Sequence, residues 1–258
     1  MRGFFNGMRR GPLLASLIAP MMALGLPITQ AGAEGRYNDW EQWTSAANAV
    51  LPARPGKLGP FRVNIAAGAA AAPEYIGSDT IASKPLPLLD INYAGTLFLS
   101  TQQGIGWNIW RKRTLRAGPR ITFAYGRNAA DAPSLAGLPD IELGTEIGLF
   151  FEGFVASWRF KGDLRKEVGG GHGGSLINGE VAWGSRWSKN ASLILGMRTT
   201  FMDDTYAESY FGIAAANARA GRSEYTPTAG FRDINAYAQL VYDFTQALYV
   251  ATELRGTS

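Results

Sequence analysis

Apolar and polar residues alternate one by one through most of the chain after residue 60. In the segment 175–187, one face carries the apolar residues Ile177, Val181, Trp183 and Trp187. The positions between them include Asn178, Glu180 and Arg186. A period of two is typical of β-strands, whose successive side chains point to opposite faces. Each strand is therefore expected to have one apolar face and one polar face.

The alternation predicts eleven strands, near residues 61–71, 86–93, 96–102, 105–110, 115–127, 140–151, 154–162, 175–187, 191–201, 233–244 and 247–255. Bacterial single-chain membrane barrels have an even number of strands. The sequence therefore predicts an all-β fold, an antiparallel transmembrane β-barrel of about 12 strands with its last strand missing. Two alternatives to a missing strand stay open: the count is wrong by one, or an N-terminal arm pairs with the wall and closes it.

The connections between strands distinguish a membrane barrel from a soluble β-sandwich, since both architectures have alternating strands. Short connections at 111–113, 152–153, 188–190 and 245–246 alternate with long ones at 128–139, 163–174 and 202–233. Membrane barrels have short turns on one side and long loops on the other. Aromatic residues near the strand ends also suit a barrel's interfacial girdles: Trp107, Trp110, Phe150, Trp158, Trp183, Trp187, Tyr242 and Tyr249. The barrel is therefore preferred.

The N-terminal segment has the pattern of a secretory signal peptide. Its basic residues, Arg2, Arg9 and Arg10, precede an apolar stretch at 12–28, and the sequence Ala-Gly-Ala ends at Ala33. An N-terminal anchor is the alternative, but three prolines interrupt this stretch, which is short for a span of about 20 residues. We expect residues 1–33 to be a signal peptide, 34–60 a periplasmic arm and 61–258 the barrel.

Four stretches carry a family resemblance: APEYIGSD (72–79), GPRITFAYGR (118–127), LAGLPDIELGTEIG (135–148) and YAESYFGIAAANARAGRSEYTPTAGFRDI (206–234). Together they resemble the MipA/OmpV family, also called MltA-interacting protein, over about residues 61–255. The resemblance implies a β-barrel in the outer membrane of a Gram-negative bacterium, surrounded by outer-membrane lipid and lipopolysaccharide. Family members usually continue past the position of residues 254–256 into a final aromatic-ended strand, which agrees with the missing strand.

The resemblance also implies a function. The best-known member implies a scaffold between a murein hydrolase, a lytic transglycosylase, and a peptidoglycan synthase, and the family offers no catalytic residues to carry over. We therefore expect a non-enzymatic envelope scaffold without a cofactor, which contacts its partners through periplasmic turns or the arm 34–60. The alternatives are a narrow solute channel, a surface adhesin or a lipid-modifying barrel enzyme. The sequence has no nucleotide-binding, zinc or nucleic-acid motif, and it has no cysteine.

Two loops carry candidate chemistry. The single histidine, His172, lies among glycines near Ser175, and a Ser–His pair would suggest lipid hydrolysis. A glycine-flanked loop is not expected to fix a base, and no carboxylate is adjacent in sequence, so a flexible surface loop is preferred. Asp203, Asp204 and Glu208 would suit a divalent cation, but a solvated acidic loop is preferred. The loop 206–225 is expected to fold inward as a plug or short helix.

Charged residues occur on the polar faces of the predicted strands: Arg120, Arg127, Arg159, Arg186, Arg198, Glu142, Glu146 and Glu180. Such residues would form either a constriction that selects ions or a lumen closed by arginine–carboxylate pairs. A barrel of about 12 strands has little open bore once side chains fill it. The closed lumen is therefore preferred.

Overall fold

The computed structural model describes residues 14–17, 21–24, 56–58, 60–73, 81–101, 103–112, 114–131, 133–218, 222–244 and 248–257. These residues form one antiparallel sheet of 15 strands, and the only α-helix among them is α1, Asp204–Phe211. In chain order the strands are β1 Leu14–Leu17, β2 Met21–Leu24, β3 Gly56–Leu58, β4 Phe61–Pro73, β5 Ile81–Tyr93, β6 Leu97–Ser100, β7 Gly104–Trp107, β8 Trp110–Lys112, β9 Leu115–Ala124, β10 Gly144–Val155, β11 Trp158–Gly169, β12 Ser175–Arg186, β13 Ala191–Met202, β14 Gly230–Asp243 and β15 Leu248–Thr257.

From β9 to β15 each strand pairs with its neighbours in the chain, so the carboxyl-terminal half is an up-and-down meander. At the other end β3, β4, β5, β6 and β7 follow in order, with β7 next to β9 and the short β8 also paired with β9. The twelve strands β4–β15 lie in the region predicted to form the barrel. Within the described residues no helix has the length and hydropathy to cross a bilayer.

The two ends of the sheet meet at the N-terminal strands. Both β1 and β2 pair with β15, and both contact β4. Among the described strands, none of the ladders joins β3 or β4 directly to β15, so the hydrogen-bonded sheet is not closed. Most of the predicted signal peptide, 1–33, and arm, 34–60, lies outside the described residues, and both assignments stay predictions.

The faces of the strands are sorted as the alternation predicted. On one face of β10, Leu149 is 61% exposed. On the opposite face, Glu146 is 1% exposed and Glu152 is 4% exposed. This arrangement is the reverse of a soluble protein, in which leucine is buried and carboxylates face water. An apolar outer face and a polar inner face are expected for a barrel wall in lipid. The predicted all-β, antiparallel barrel fold is confirmed, and we call its polar inner side the lumen.

Two details of the predicted strands are wrong. The predicted turn at residues 152–153 lies inside β10, and the turn falls at Ala156–Ser157, where Ala156 has the left-handed φ of 51°. As a result β11 extends to Gly169, and the connection predicted as 163–174 contains only 170–174. Phe150 lies on the inner face and packs edge-on against Phe98, with 5.5 Å between ring centroids. Phe150 is therefore not available to the predicted outer aromatic girdle.

Candidate functional site

The lumen near the short turns contains an apolar cluster. Four buried residues from four strands form it: Phe154, Ala182, Ile194 and Tyr237. Tyr237 lies across β13 because Gly196 has no side chain, and a Cβ there would collide with the tyrosine ring. The missing side chain on one strand thus makes room for a large one from the next strand.

Next to this cluster lies an ion-pair network centred on Glu180. Its carboxylate accepts hydrogen bonds from Arg159, whose side chain is fully buried, and from the Tyr237 hydroxyl at 2.8 Å. Arg198 approaches the same carboxylate with Nε 3.5 Å away, and its guanidinium lies 4.6 Å above the centroid of the Tyr237 ring. The pairing compensates charges that would otherwise be costly to bury.

A second network is centred on Asp163 in the middle of the lumen. Its Oδ1 lies 2.8 Å from a terminal nitrogen of Arg120 and 2.9 Å from Arg165 Nε. Asn178 Nδ2 donates to the same oxygen at 2.9 Å, and Thr200 donates to Asn178 Oδ1 at 2.9 Å. Four strands, β9, β11, β12 and β13, are thereby connected across the lumen.

A third network surrounds Glu146 closer to the long loops. Its Oε2 accepts hydrogen bonds of 2.7 Å from the Thr122 hydroxyl and from Arg165 Nη1. Its Oε1 lies 3.3 Å from His172 Nε2, and His172 Nδ1 accepts the Gly174 N–H at 3.0 Å. In a neutral ring the proton is therefore on Nε2 and is donated to Glu146. His172 is 2% exposed, so the predicted flexible surface loop is wrong.

The glycine-rich loop is ordered by a second carboxylate. Glu167 accepts hydrogen bonds from the backbone N–H of Gly169 at 2.6 Å, of Gly171 at 3.2 Å and of Gly173. Glycine permits the positive φ of 65° at Gly173. The sequence did not reveal this arrangement, because it depends on a carboxylate at the end of β11 that was assigned to a loop.

The long-loop end of the lumen is filled by α1. Asp203 caps this helix by accepting the Tyr206 N–H at 2.9 Å, and it also accepts the Ser175 N–H at 2.8 Å. The buried side of α1 packs in one apolar cluster with residues from β12, β13 and the β9–β10 connection: Ile141, Leu176, Met202, Tyr206, Ala207 and Tyr210. The prediction that this loop folds inward as a short helix agrees with the structure. We call α1 and its cluster the plug.

Aromatic stacking and arginine contacts fix the plug in place. The Tyr206 and Tyr210 rings stack with centroids 4.5 Å apart, and the His172 ring lies 4.5 Å from that of Tyr206. Arg232 Nη1 donates to the Tyr206 hydroxyl at 2.9 Å, and Arg127 Nη1 donates to the Tyr210 carbonyl at 2.6 Å. The plug is therefore attached to β14, to the β9–β10 connection and to the glycine-rich loop.

The titration properties of the plug follow from this burial. Burial raises the pKa of Tyr210 to about 12, and it also raises the pKa of Tyr206. Burial alone would raise the pKa of Asp203, but the N–H groups of Ser175 and Tyr206 donate to its carboxylate and hold its pKa below the usual range. The plug thus favours neutral tyrosines and an ionised cap.

The acidic residues of this loop have separate positions. Asp203 is the helix cap, Asp204 accepts the Ala229 N–H, and Glu208 is exposed. Within the described residues no group of three or more acidic or histidine side chains is arranged to hold a metal ion. The preferred solvated acidic loop is therefore correct for Glu208 and wrong for Asp203.

The charged residues predicted for the lumen fall into two groups. Arg120, Arg159, Arg198, Glu146 and Glu180 form the networks described above, whereas Glu142 and Arg186 are exposed and Arg127 holds the plug. Sequence reasoning missed several lumen residues on β11: Lys161, Asp163, Arg165 and Glu167. The signal was present, since charges occupy every second position from 159 to 167.

A cavity of about 210 Å³ lies in the middle of the lumen. It is lined by residues of β9, β11, β12 and β13 and by one residue before β7: Gln103, Arg120, Lys161, Asp163, Asn178, Gly179, Glu180, Arg198, Thr199 and Thr200. The lining is mostly polar, and it lies between the Asp163 and Glu180 networks.

A family model described as MltA-interacting protein MipA matches residues 65–258, which is more than half of the 258 residues. A search of curated proteins finds no match to the chain. The matched region contains the plug, the three networks and the cavity. The order of the sequence blocks, the exposed apolar strand faces and the family match agree with one another. The chain therefore belongs to the MipA family and is an outer-membrane β-barrel protein.

Proposed function

We propose that this protein is a non-enzymatic scaffold in the outer membrane that binds a murein hydrolase and, with it, a peptidoglycan synthase. The observation that carries the proposal is a lumen filled by buried ion pairs and a docked helix. Glu146 and Arg159 have exposures of 1% and 0%, so large parts of the wall's inner face are committed to internal contacts. The family description, which names an interaction with MltA, supplies the class of partner.

The geometry around His172 supports the non-enzymatic part of the proposal. Both ring nitrogens have partners, Gly174 and Glu146. The Ser175 hydroxyl contacts Asp203 instead of the imidazole. A serine nucleophile needs a base within hydrogen-bonding reach, and this pair lacks that arrangement.

Binding to a purified lytic murein transglycosylase tests the scaffold role. The full chain in detergent micelles is expected to bind the hydrolase saturably, and an unrelated outer-membrane barrel in the same detergent serves as the control. A chain that lacks residues 36–55 tests whether the predicted arm makes the contact. If it does, binding of the hydrolase should fall while the barrel stays folded. Absence of saturable binding by the full chain would contradict the scaffold proposal.

A narrow solute channel is the second candidate, and the cavity in the lumen favours it. Planar-bilayer recordings separate the two functions, since a filled lumen should give no steady open-channel current. A steady conductance that falls with increasing solute size would favour the channel. Charged lumen residues would then act as a filter.

A further inference from the structure

The cavity in the lumen has an excess of positive charge. Three cationic side chains line it, Arg120, Lys161 and Arg198, against two carboxylates, Asp163 and Glu180. Both carboxylates are also paired with arginines that do not line the cavity. Asp163 lies 2.9 Å from the Nε of one such arginine, and Glu180 accepts a hydrogen bond from another. The carboxylates are thus shared among more cations than the cavity itself contains.

Three acceptor oxygens of the cavity are already engaged. Asp163 Oδ1 accepts from Asn178 and contacts Arg120 at 2.8 Å, and Glu180 Oε1 accepts from Tyr237 at 2.8 Å. Even the Asn178 side-chain oxygen accepts a hydrogen bond, from a threonine hydroxyl at 2.9 Å. These three oxygens therefore have reduced capacity to accept further hydrogen bonds from the cationic residues that face the cavity.

The donors are not engaged to the same extent. Lys161 is attracted electrostatically by Glu180 and Glu152, but it forms no hydrogen bond or close ion pair with any described residue. Arg198 Nε and Nη2 and Arg120 Nε are buried without a hydrogen-bond partner in the described part of the chain. A buried donor without a partner costs about 1–3 kcal/mol, and more when it is charged. Two arginines with such nitrogens, together with a lysine that has no hydrogen-bond or ion-pair partner among the described residues, indicate that a ligand supplies the missing acceptors of this cavity.

We propose that the cavity is a binding site for a small oxyanion, a carboxylate or phosphate group, held by Lys161, Arg198 and Arg120. Guanidinium groups hold such groups through paired hydrogen bonds, and an ammonium adds a point charge. The volume of about 210 Å³ is below the roughly 300–1,000 Å³ of drug-sized pockets. The ligand is therefore a small anion or the end of a larger anionic molecule. This site goes beyond the scaffold proposal and does not depend on hydrolase binding.

Calorimetric titration of the full chain in a non-ionic detergent tests the site. Inorganic phosphate and succinate are the two probes, and at least one is expected to bind saturably, at about one per chain. In Lys161→Met the dissociation constant should rise about tenfold or more, which is the usual size of one charge-assisted hydrogen bond. Lys161→Arg keeps the charge and the donors and should retain binding. Lys189→Gln, on an exposed turn, should bind as the unmodified chain does.

The two probes distinguish the ligand chemistry. Binding of phosphate alone assigns the site to phosphate groups, and binding of succinate alone assigns it to carboxylates. Arg198→Gln is a second variant in case Lys161→Met does not fold, as judged by its circular dichroism and gel mobility before heating, and it should show the same loss. Absence of saturable binding of both probes would overturn the proposal. Equal affinity of the folded Lys161→Met or Arg198→Gln variant and the unmodified chain would overturn it too.

Discussion

The Glu146 network and the cavity lie close together in the same lumen, but their polar groups are satisfied to different degrees. The Glu146 carboxylate has three hydrogen-bond partners, Thr122, Arg165 and His172. At the cavity Lys161 has no hydrogen-bond or ion-pair partner among the described residues, and Arg198 keeps two buried nitrogens without a hydrogen bond. Charged residues alone therefore do not identify a binding site. The balance of donors and acceptors separates a structural cluster from a site that accepts a ligand.

The largest expected effect comes from the satisfied cluster. Glu146→Gln removes a buried charge on which Arg165 and His172 depend, and losing one partner of a buried pair costs about 3–5 kcal/mol. Urea unfolding of the chain in lipid vesicles measures the change in the free energy of unfolding. Glu142→Gln is the matched control, because Glu142 is exposed, and it should have little effect. Equal effects of the two changes would show that the network does not stabilise the barrel.

The plug is the next test, because it joins the Glu146 network to the long loops. Tyr210→Ala removes a ring that is 8% exposed, and a loss of about 3 kcal/mol is expected from large-to-small changes in packed interiors. The exposed Tyr225, at 56%, provides the control variant Tyr225→Ala. Hydrogen exchange in α1 should increase only in Tyr210→Ala. Unchanged exchange there would mean that Tyr210 does not hold the helix.

Alkaline pH should release the same plug. Because the folded-state pKa of Tyr210, about 12, is above the ordinary value of 10.0, its stabilisation is complete below pH 10. Two pKa units correspond to about 2.7 kcal/mol, which solvent screening of this partly buried ring reduces, and that stabilisation is lost as the pH rises through about 12. Unfolding experiments at increasing pH, with tyrosinate absorbance as the readout, follow this loss. In Tyr210→Phe the alkaline step that belongs to this residue should disappear, and its persistence would contradict the assignment.

The helix cap contributes a smaller amount. Asp203→Ala leaves the first turn of α1 without its acceptor, and a loss of about 1 kcal/mol is expected. Glu208→Ala on the exposed side of the same helix is the control. The difference in unfolding free energy between the two variants measures the cap. A difference near zero would indicate that the helix end is held only by packing.

The smallest loss of stability is expected at the cavity, and it sharpens the comparison with Glu146. Lys161→Met removes a buried charge that has no described ion-pair partner, so the unfolding free energy without added anions should not fall, and the loss of an unpartnered buried donor should raise it by about 1–3 kcal/mol. The same urea unfolding in lipid vesicles measures it. A large destabilisation would show that Lys161 belongs to the structural network and not to a ligand site.

The alternation predicted the wall of the barrel well, because strand faces are decided by local sequence. Ile177 and Glu180 lie on the outer and inner faces as expected. The turn near residues 152–153 was misplaced because Gly153 resembles a turn residue, although it pairs with Phe160 inside the β10–β11 ladder. Period-two charges continue past this position, and they indicate the longer strands.

The candidate site was less predictable because its contacts join distant parts of the chain. His172 and Glu146 are 26 residues apart, and Arg127 and Tyr210 are 83 residues apart. No local pattern around the glycine-rich loop shows that Glu146 lies beside its histidine. The inward folding of the plug was predictable from its tyrosine and phenylalanine. Its anchoring to arginines of β14 and of the β9–β10 connection was not.

Thiol labelling tests the central claim, a lumen filled by a docked helix, most directly. The chain has no cysteine, so Ala207→Cys and Ala216→Cys each carry one reactive group. Ala207 is 0% exposed in the plug, whereas Ala216 is exposed. A small water-soluble thiol reagent should label position 216 rapidly and leave position 207 unmodified until the barrel is unfolded. Equally rapid labelling of both positions in the folded protein would contradict the account.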